Sequence, residues 1–211
     1  MAFVRTARPG NKLGRKRSKD SGVAHRTRSE HKARHPVHVT LKLAEGLPGL
    51  RNKRALRVIQ RAFHGGKARF GLRLNHYSVQ GNHMHLIVEA KDRLAMTRGM
   101  KGLTVRLARG LNSLWRRTGK VFPDRYHEHV LTTPREVRNV LAYVLKNWNR
   151  HARAFTRRLD EFASGPWFDG WGEVFEIAGN AWRDPPIVPA ETWLLKVGWR
   201  RHGLVPVVAH D

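Results

Sequence analysis

The chain has 211 residues, with 41 Lys and Arg against 16 Asp and Glu, a formal net charge of +25, and no Cys. Without Cys there is no disulfide framework, no thiol nucleophile and no thiolate-ligated metal. The longest unbroken apolar run is about six residues, too short to cross a bilayer, so no membrane partner is expected. The opening MAFVRTARPG is basic but lacks the apolar stretch of a secretory signal. With 40 % hydrophobic residues the chain is too apolar for a wholly disordered basic tail, and one compact domain with extensions is expected. So much positive charge repels itself in a compact state and calls for a polyanionic partner, most commonly nucleic acid.

Residues 1–34 read as a flexible basic arm, with 11 Lys and Arg against Asp20 and Glu30 and the cluster Arg15-Lys16-Arg17 at its centre. Structured sequence begins near His35-Pro36. Val37, Val39, Leu41 and Leu43 alternate with His38, Thr40 and Lys42, the period of a half-buried strand. After Gly46, Pro48 and Gly49, the spacing of Leu56, Ile59 and Phe63 predicts an amphipathic helix ended by Gly65-Gly66. Two strands are expected over 69–79 and 83–89, joined by a tight turn at Gln80-Gly81-Asn82. In the second, Met84, Leu86 and Val88 point toward a core, and His83, His85 and Ile87 point the other way.

A second helix is predicted over about 94–118 from the stripe Met96, Met100, Leu103, Leu107, Leu111 and Leu114. A short strand follows around 126–131. Thr133-Pro134-Arg135-Glu136 then forms a capping box with Pro at the first helical position. The helix it opens runs to about Ala154, with Val137, Val140, Leu141, Val144, Leu145 and Trp148 as its core stripe. Past residue 160 five of the seven Trp appear (Trp167, Trp171, Trp182, Trp193 and Trp199). A mostly irregular extension is expected there, packed on the core, with one short helix near 190–202 ended by Gly203. The expected division is therefore an arm at 1–34, a main domain at 35–158 and a Trp-rich extension at 159–211.

Two features could carry chemistry. In His83-Met84-His85 the imidazoles leave one face of a strand and can meet on one divalent ion, while Met84 anchors the strand. His127-Glu128-His129 is the competing pair; its charged middle residue implies a strand that buries the His side instead, and the two read as surface or core histidines rather than metal ligands. His38 and His76 likewise read as hydrogen-bonded structural residues. The second feature is a stripe on the capped helix: Glu136, Asn139, Tyr143, Asn147, Arg150 and His151. Tyr143 and Asn147 are four apart and share a face. No phosphate-binding loop, nucleophile elbow or H-E-x-x-H helix is present, and the scattered carboxylates do not suit a carboxylate-held two-metal nuclease.

Taken together, these blocks resemble the HUH superfamily of single-strand endonucleases, and within it the REP-associated tyrosine transposases. The residues that carry the resemblance are His35-Pro36-Val37-His38-Val39-Thr40-Leu41 and Asn82-His83-Met84-His85-Leu86-Ile87-Val88. Arg125-Tyr126-His127 and Leu141-Ala142-Tyr143-Val144-Leu145-Lys146-Asn147 complete it, over roughly residues 35–155. The resemblance implies an α+β, ferredoxin-like antiparallel sheet of four to five strands with helices on one face. It implies His83 and His85 as metal ligands, Tyr143 as nucleophile, and Asn147 as third ligand or close helper, where many relatives carry Gln. A helix reading Asn-Pro in many relatives reads Asn147-Trp148 here.

The activity implied is cleavage and rejoining of single-stranded DNA beside hairpins, through a 5′-phosphotyrosine bond. Two imidazoles plus oxygen ligands suit Mg²⁺ or Mn²⁺. Phosphate contacts are expected from Arg15, Lys16 and Arg17, from Lys101, Arg106, Arg109, Arg116 and Arg117 on the second helix, and from Arg138, Lys146 and Arg150 on the capped helix. Members of the family occur as monomers and as homodimers, and the expected location is the cytoplasm, on the nucleoid. Two other readings stay open: a non-catalytic hairpin-binding protein that kept the fold, and a replication-initiator or relaxase-type nickase.

Overall fold

A computed structural model describes residues 31–152, 159–173 and 184–207. The side chains of residues 148–152 are outside that description, as are the Arg15-Lys16-Arg17 cluster and Trp182. The elements run β1 (Val37–Lys42), α1 (Lys53–His64), β2 (Ala68–Arg69), β3 (Leu72–Val79), β4 (His83–Ala90), α2 (Arg93–Leu114), β5 (His127–Val130), α3 (Pro134–Ala152) and α4 (Trp193–Lys196). Short 3-10 turns lie at Gly165–Trp167 and Gly198–His202. All strand pairs are antiparallel, in the order β2-β3-β4-β1-β5. This is the expected α+β sheet. No helix among the described residues is long and apolar enough to cross a membrane.

The apolar periods act as their spacing requires. Val37, Val39 and Leu41 of β1 and Met84, Leu86 and Val88 of β4 meet Leu56, Ile59 and Phe63 of α1 and the Met96–Leu111 stripe of α2 in one core. The α2 helix lies close on the sheet at Gly99, where an added Cβ would come within 2.3 Å of Leu72 Cβ. The predicted strand over 69–79 is split: Phe70 (φ 57°) and Gly71 (φ 76°) take left-handed conformations that fold two residues back as β2.

One placement differs from expectation. Helices α1 and α2 share one face, but α3 packs on the other, where Ile87 joins Leu131, Val137, Leu141, Val144 and Leu145 in a second core. The physical reason lies in β4, which is buried on both sides: its outward residues include Ile87 as well as the histidines. An apolar residue there needs a cover, and the core stripe of α3 supplies it. The capping box forms with one change. The Glu136 amide donates to Thr133 Oγ1 at 3.2 Å, while the Glu136 carboxylate accepts from the amide of Thr132 at 2.7 Å.

The segments beyond residue 158 close this second core and the outer edge of β3. The Val79 amide donates to Phe162 O, the Ser164 amide to Tyr77 O, and the Val188 amide to Leu74 O. Arg51 holds Asp160 through two hydrogen bonds of 2.8 and 3.0 Å. Glu89, 3 % exposed, accepts from the amides of Glu191 and Thr192 at the start of α4 and from Asn75 Nδ2. Trp199 is 1 % exposed and packs beside α3 with Phe168. Trp171 is also buried, whereas Trp193 is 49 % exposed under the Arg201 guanidinium.

Candidate active site

The site is built from register. In antiparallel sheets, residues directly opposite each other point to the same face. Thr40 is opposite His85 and Lys42 opposite His83 on the β1–β4 pair; Thr40 is opposite His127 and His38 opposite His129 on the β1–β5 pair. All of these side chains therefore leave the sheet on the face that α3 crosses.

The four residues expected to act were His83, His85, Tyr143 and Asn147. Three of them converge. His83 Nε2 lies 3.1 Å from His85 Nε2, and Tyr143 Oη lies 3.3 Å from the same His85 nitrogen. The rings of His85 and Tyr143 meet edge-on with centroids 5.1 Å apart. Asn147 sits one helical turn beyond Tyr143 and is 1 % exposed. Neither its Oδ1 nor its Nδ2 has a hydrogen-bond partner. A buried amide left this way is costly unless something polar meets it.

These residues fit a divalent cation. Cis ligands on an octahedral ion with bonds of about 2.1 Å stand about 3 Å apart, which matches the 3.1 Å between the two imidazole nitrogens. Among the described residues no three His, Cys, Asp or Glu side chains gather at one point. A third protein ligand would then be an uncharged oxygen, and the unpartnered Asn147 Oδ1 is of that kind.

Two supporting residues, read from the sequence as structural or as part of a strand, belong to this site. His38 Nε2 lies 3.1 Å and Thr40 Oγ1 3.2 Å from His85 Nδ1. Burial, and then the neighbouring His129, push the His38 imidazole down to about 4, so at neutral pH it is uncharged and Nε2 can accept from His85. With the proton on His85 Nδ1, donated to His38 Nε2 or Thr40 Oγ1, Nε2 of His85 would face His83 and Tyr143 as a lone-pair ligand. The signal for both was the polar half of the β1 alternation. His83 Nδ1 is similarly paired with Asn82 Oδ1 at 2.9 Å. His76, by contrast, is structural: it contacts Ser164 Oγ and Phe168, and burial pushes it down to about 4.

In His127-Glu128-His129 the expected burial of the His side is corrected, and the histidines are surface residues. The inward side chain is Glu128, 10 % exposed and held by Arg93 Nη1 at 2.9 and 3.0 Å. A charge can face the core when it is paired. The histidines therefore leave on the α3 face, both exposed. His129 contacts the Glu136 carboxylate. Burial raises that carboxylate, but hydrogen bonds from the Thr132 amide and from His129 hold it below the usual range.

The basic side chains are dispersed. Arg106 and Arg109 project from α2, on the other side of the sheet from Tyr143, and Arg106 packs over Gly65 and Gly66. Arg138 donates to Gly203 O and Leu204 O at 3.0 Å each, tying α3 to the C-terminal segment. Lys146 lies on α3 between Tyr143 and Asn147, half-buried. Arg15, Lys16, Arg17 and the Arg150 side chain lie outside the described residues.

No family model and no curated protein matches the chain. Among solved structures it is similar to a REP-associated tyrosine transposase bound to a REP hairpin, with a TM-score of 0.51 at 15 % identity, over 63 % of this chain and 76 % of that one. It also aligns with a Deinococcus radiodurans protein described as a candidate transposase, with a TM-score of 0.40 at 15 % identity, over 60 % of this chain and 97 % of that one. The first likeness establishes that the chain has the fold of a REP-associated tyrosine transposase.

Proposed function

We propose that this protein is a transposase-like, metal-dependent endonuclease that cuts and rejoins single-stranded DNA beside hairpins, with Tyr143 as nucleophile. The observation that carries the reading is the convergence of Tyr143 Oη and the two His Nε2 atoms within 3.1–3.3 Å on one sheet face. The first similar structure holds a REP hairpin, and the +25 charge suits a phosphodiester partner.

His83, His85 and Asn147 would hold Mg²⁺ or Mn²⁺. When bound, such an ion polarises a non-bridging oxygen of the scissile phosphate and stabilises the charge that develops on it. His38 and Thr40 hold the His85 ring in the tautomer that ligation needs. Tyr143 Oη forms a bond to phosphorus as the bond to the 3′-oxygen breaks, leaving a 5′-phosphotyrosine and a free 3′-hydroxyl. One phosphodiester replaces another, so the strand can be resealed without ATP. The amide of Asn147 adds an oxygen without cancelling charge.

The test is formation of a denaturant-resistant adduct on a hairpin oligonucleotide with a single-stranded flank, in Mg²⁺ or Mn²⁺. Tyr143→Phe should abolish the adduct and keep DNA binding. If Tyr126→Phe abolishes it and Tyr143→Phe does not, the nucleophile is misassigned. Metal-independent binding with no adduct on any hairpin would leave the non-catalytic reading.

A further inference from the structure

His127 is not used by the mechanism above, yet the sheet places it beside the reacting cluster. Across the strands β5, β1 and β4, the residues His127, Thr40 and His85 form one lateral row on one face. Two strand spacings separate the ends of that row, about 10 Å between Cα atoms. Thr40 in the middle is short, and its hydroxyl is turned to His85 Nδ1. The space above Thr40 is thus flanked by an imidazole on each side.

The other groups facing this space already have tasks or the wrong chemistry. His38 is bonded to His85, and His129 is held by Glu136. Lys42, opposite His83 and exposed, brings a cation suited to a flanking phosphate. His127 is exposed and makes no side-chain hydrogen bond among the described residues. Its orientation is set from behind, because Glu128 is anchored to Arg93 and Val130 packs into the α2 core. Strand alternation then forces His127 outward onto the reacting face.

The phenol proton of Tyr143 is released on the attacking side of the phosphorus, and the proposed metal ligands carry no proton for the departing side opposite it. The departing 3′-oxygen leaves with the electron pair of the broken P–O bond and is a strongly basic alkoxide unless protonated. Imidazole is the side chain best suited to give and take a proton near neutrality. We propose that His127 is a further catalytic residue, the general acid that protonates the 3′-oxygen during cleavage and the base that takes the proton back during rejoining. This rests on the Tyr143 reading. In the forward step the Tyr143 O–P bond forms, the P–O3′ bond breaks, the His127 proton passes to O3′, and the phenol proton passes to water. The reverse step runs the same transfers backward.

The experiment compares two hairpin oligonucleotides, one with the ordinary linkage and one with sulfur in place of the bridging 3′-oxygen. A thiolate leaves without needing a proton. On the ordinary linkage His127→Ala and His127→Gln should form the adduct about 10²–10⁴-fold more slowly than the unaltered protein. On the 3′-sulfur linkage both variants should return to within a few-fold of it. Equal slowing on both linkages would make His127 a structural residue and overturn the proposal, as would no slowing on either. Either result leaves the Tyr143 reading standing if the unaltered protein forms the adduct and Tyr143→Phe does not. Absence of any adduct from the unaltered protein on both linkages would overturn both.

Discussion

His85 is the residue on which the site turns, because it is touched from three sides. Its Nε2 faces His83 and Tyr143, and its Nδ1 faces His38 and Thr40. Removing a partner of this outer kind typically weakens metal affinity 10–100-fold. His38→Ala should therefore raise the Mn²⁺ concentration needed for half-maximal adduct formation by that factor, with the maximal rate largely recovered at saturating metal. A loss that excess metal does not recover would mean that His38 acts on folding or DNA rather than on the ligand. The spacing singled out the His-x-His pair and the Tyr143–Asn147 face, but their roles came only from the family resemblance. The His38 and Thr40 contacts were not, because a residue opposite on another strand is invisible until register is known. Glu128 misled for a related reason: its partner Arg93 is 35 residues away in the chain.

Among the elements, α3 was the most legible and the most informative. Its start is written in Thr133-Pro134-Arg135-Glu136, and the helix begins at Pro134 as expected. Thr133→Ala removes the acceptor for the Glu136 amide and should cost about 1 kcal/mol, read as a lower denaturation midpoint. The same substitution should slow adduct formation less than His38→Ala does, because the first turn lies two turns from Tyr143. What the period could not tell was which sheet face the helix covers. An amphipathic stripe states that a side is buried, not against what. Ile87 was the clue, an apolar residue on the histidine side of β4. The two-residue β2 was hidden because it depends on Phe70 and Gly71 both taking positive φ, which favours glycine but is rare for Phe.

At the scale of the whole molecule, the main-domain sheet and the later segments form one buried structure, and pH should reveal it. His76 on β3 is enclosed by Ser164 and Phe168 from beyond residue 158 and is pushed down to about 4. The unfolded chain, with His near 6.5, binds more protons between those values, so stability is full above pH 6.5 and falls as pH drops toward 4. The loss assignable to His76 is on the order of 3 kcal/mol. His76→Asn should flatten the fall in urea midpoint between pH 6.5 and 4.5. An unchanged slope would mean that the imidazole is solvated in the native state. The charge that marks the sequence divides differently at this scale from what the helix patterns suggested. Arg138 serves the C-terminal carbonyls, and α2 lies behind the sheet, whereas among the described strand residues Lys42 stands opposite His83.

The outer edge of β3 has a consequence for how this chain can be cut down. Leu72, Leu74, Tyr77 and Val79 are buried, and the strand's outward amides and carbonyls are met by Phe162, Ser164 and Val188. A chain ended at residue 158 would keep the proposed nucleophile and ligands but uncover an apolar strand with unpaired backbone groups, a template for other chains to add onto. Such a truncation should appear in size-exclusion chromatography and light scattering as self-associated material rather than as a smaller active enzyme. The Trp-rich segment would then act as an internal guard against aggregation.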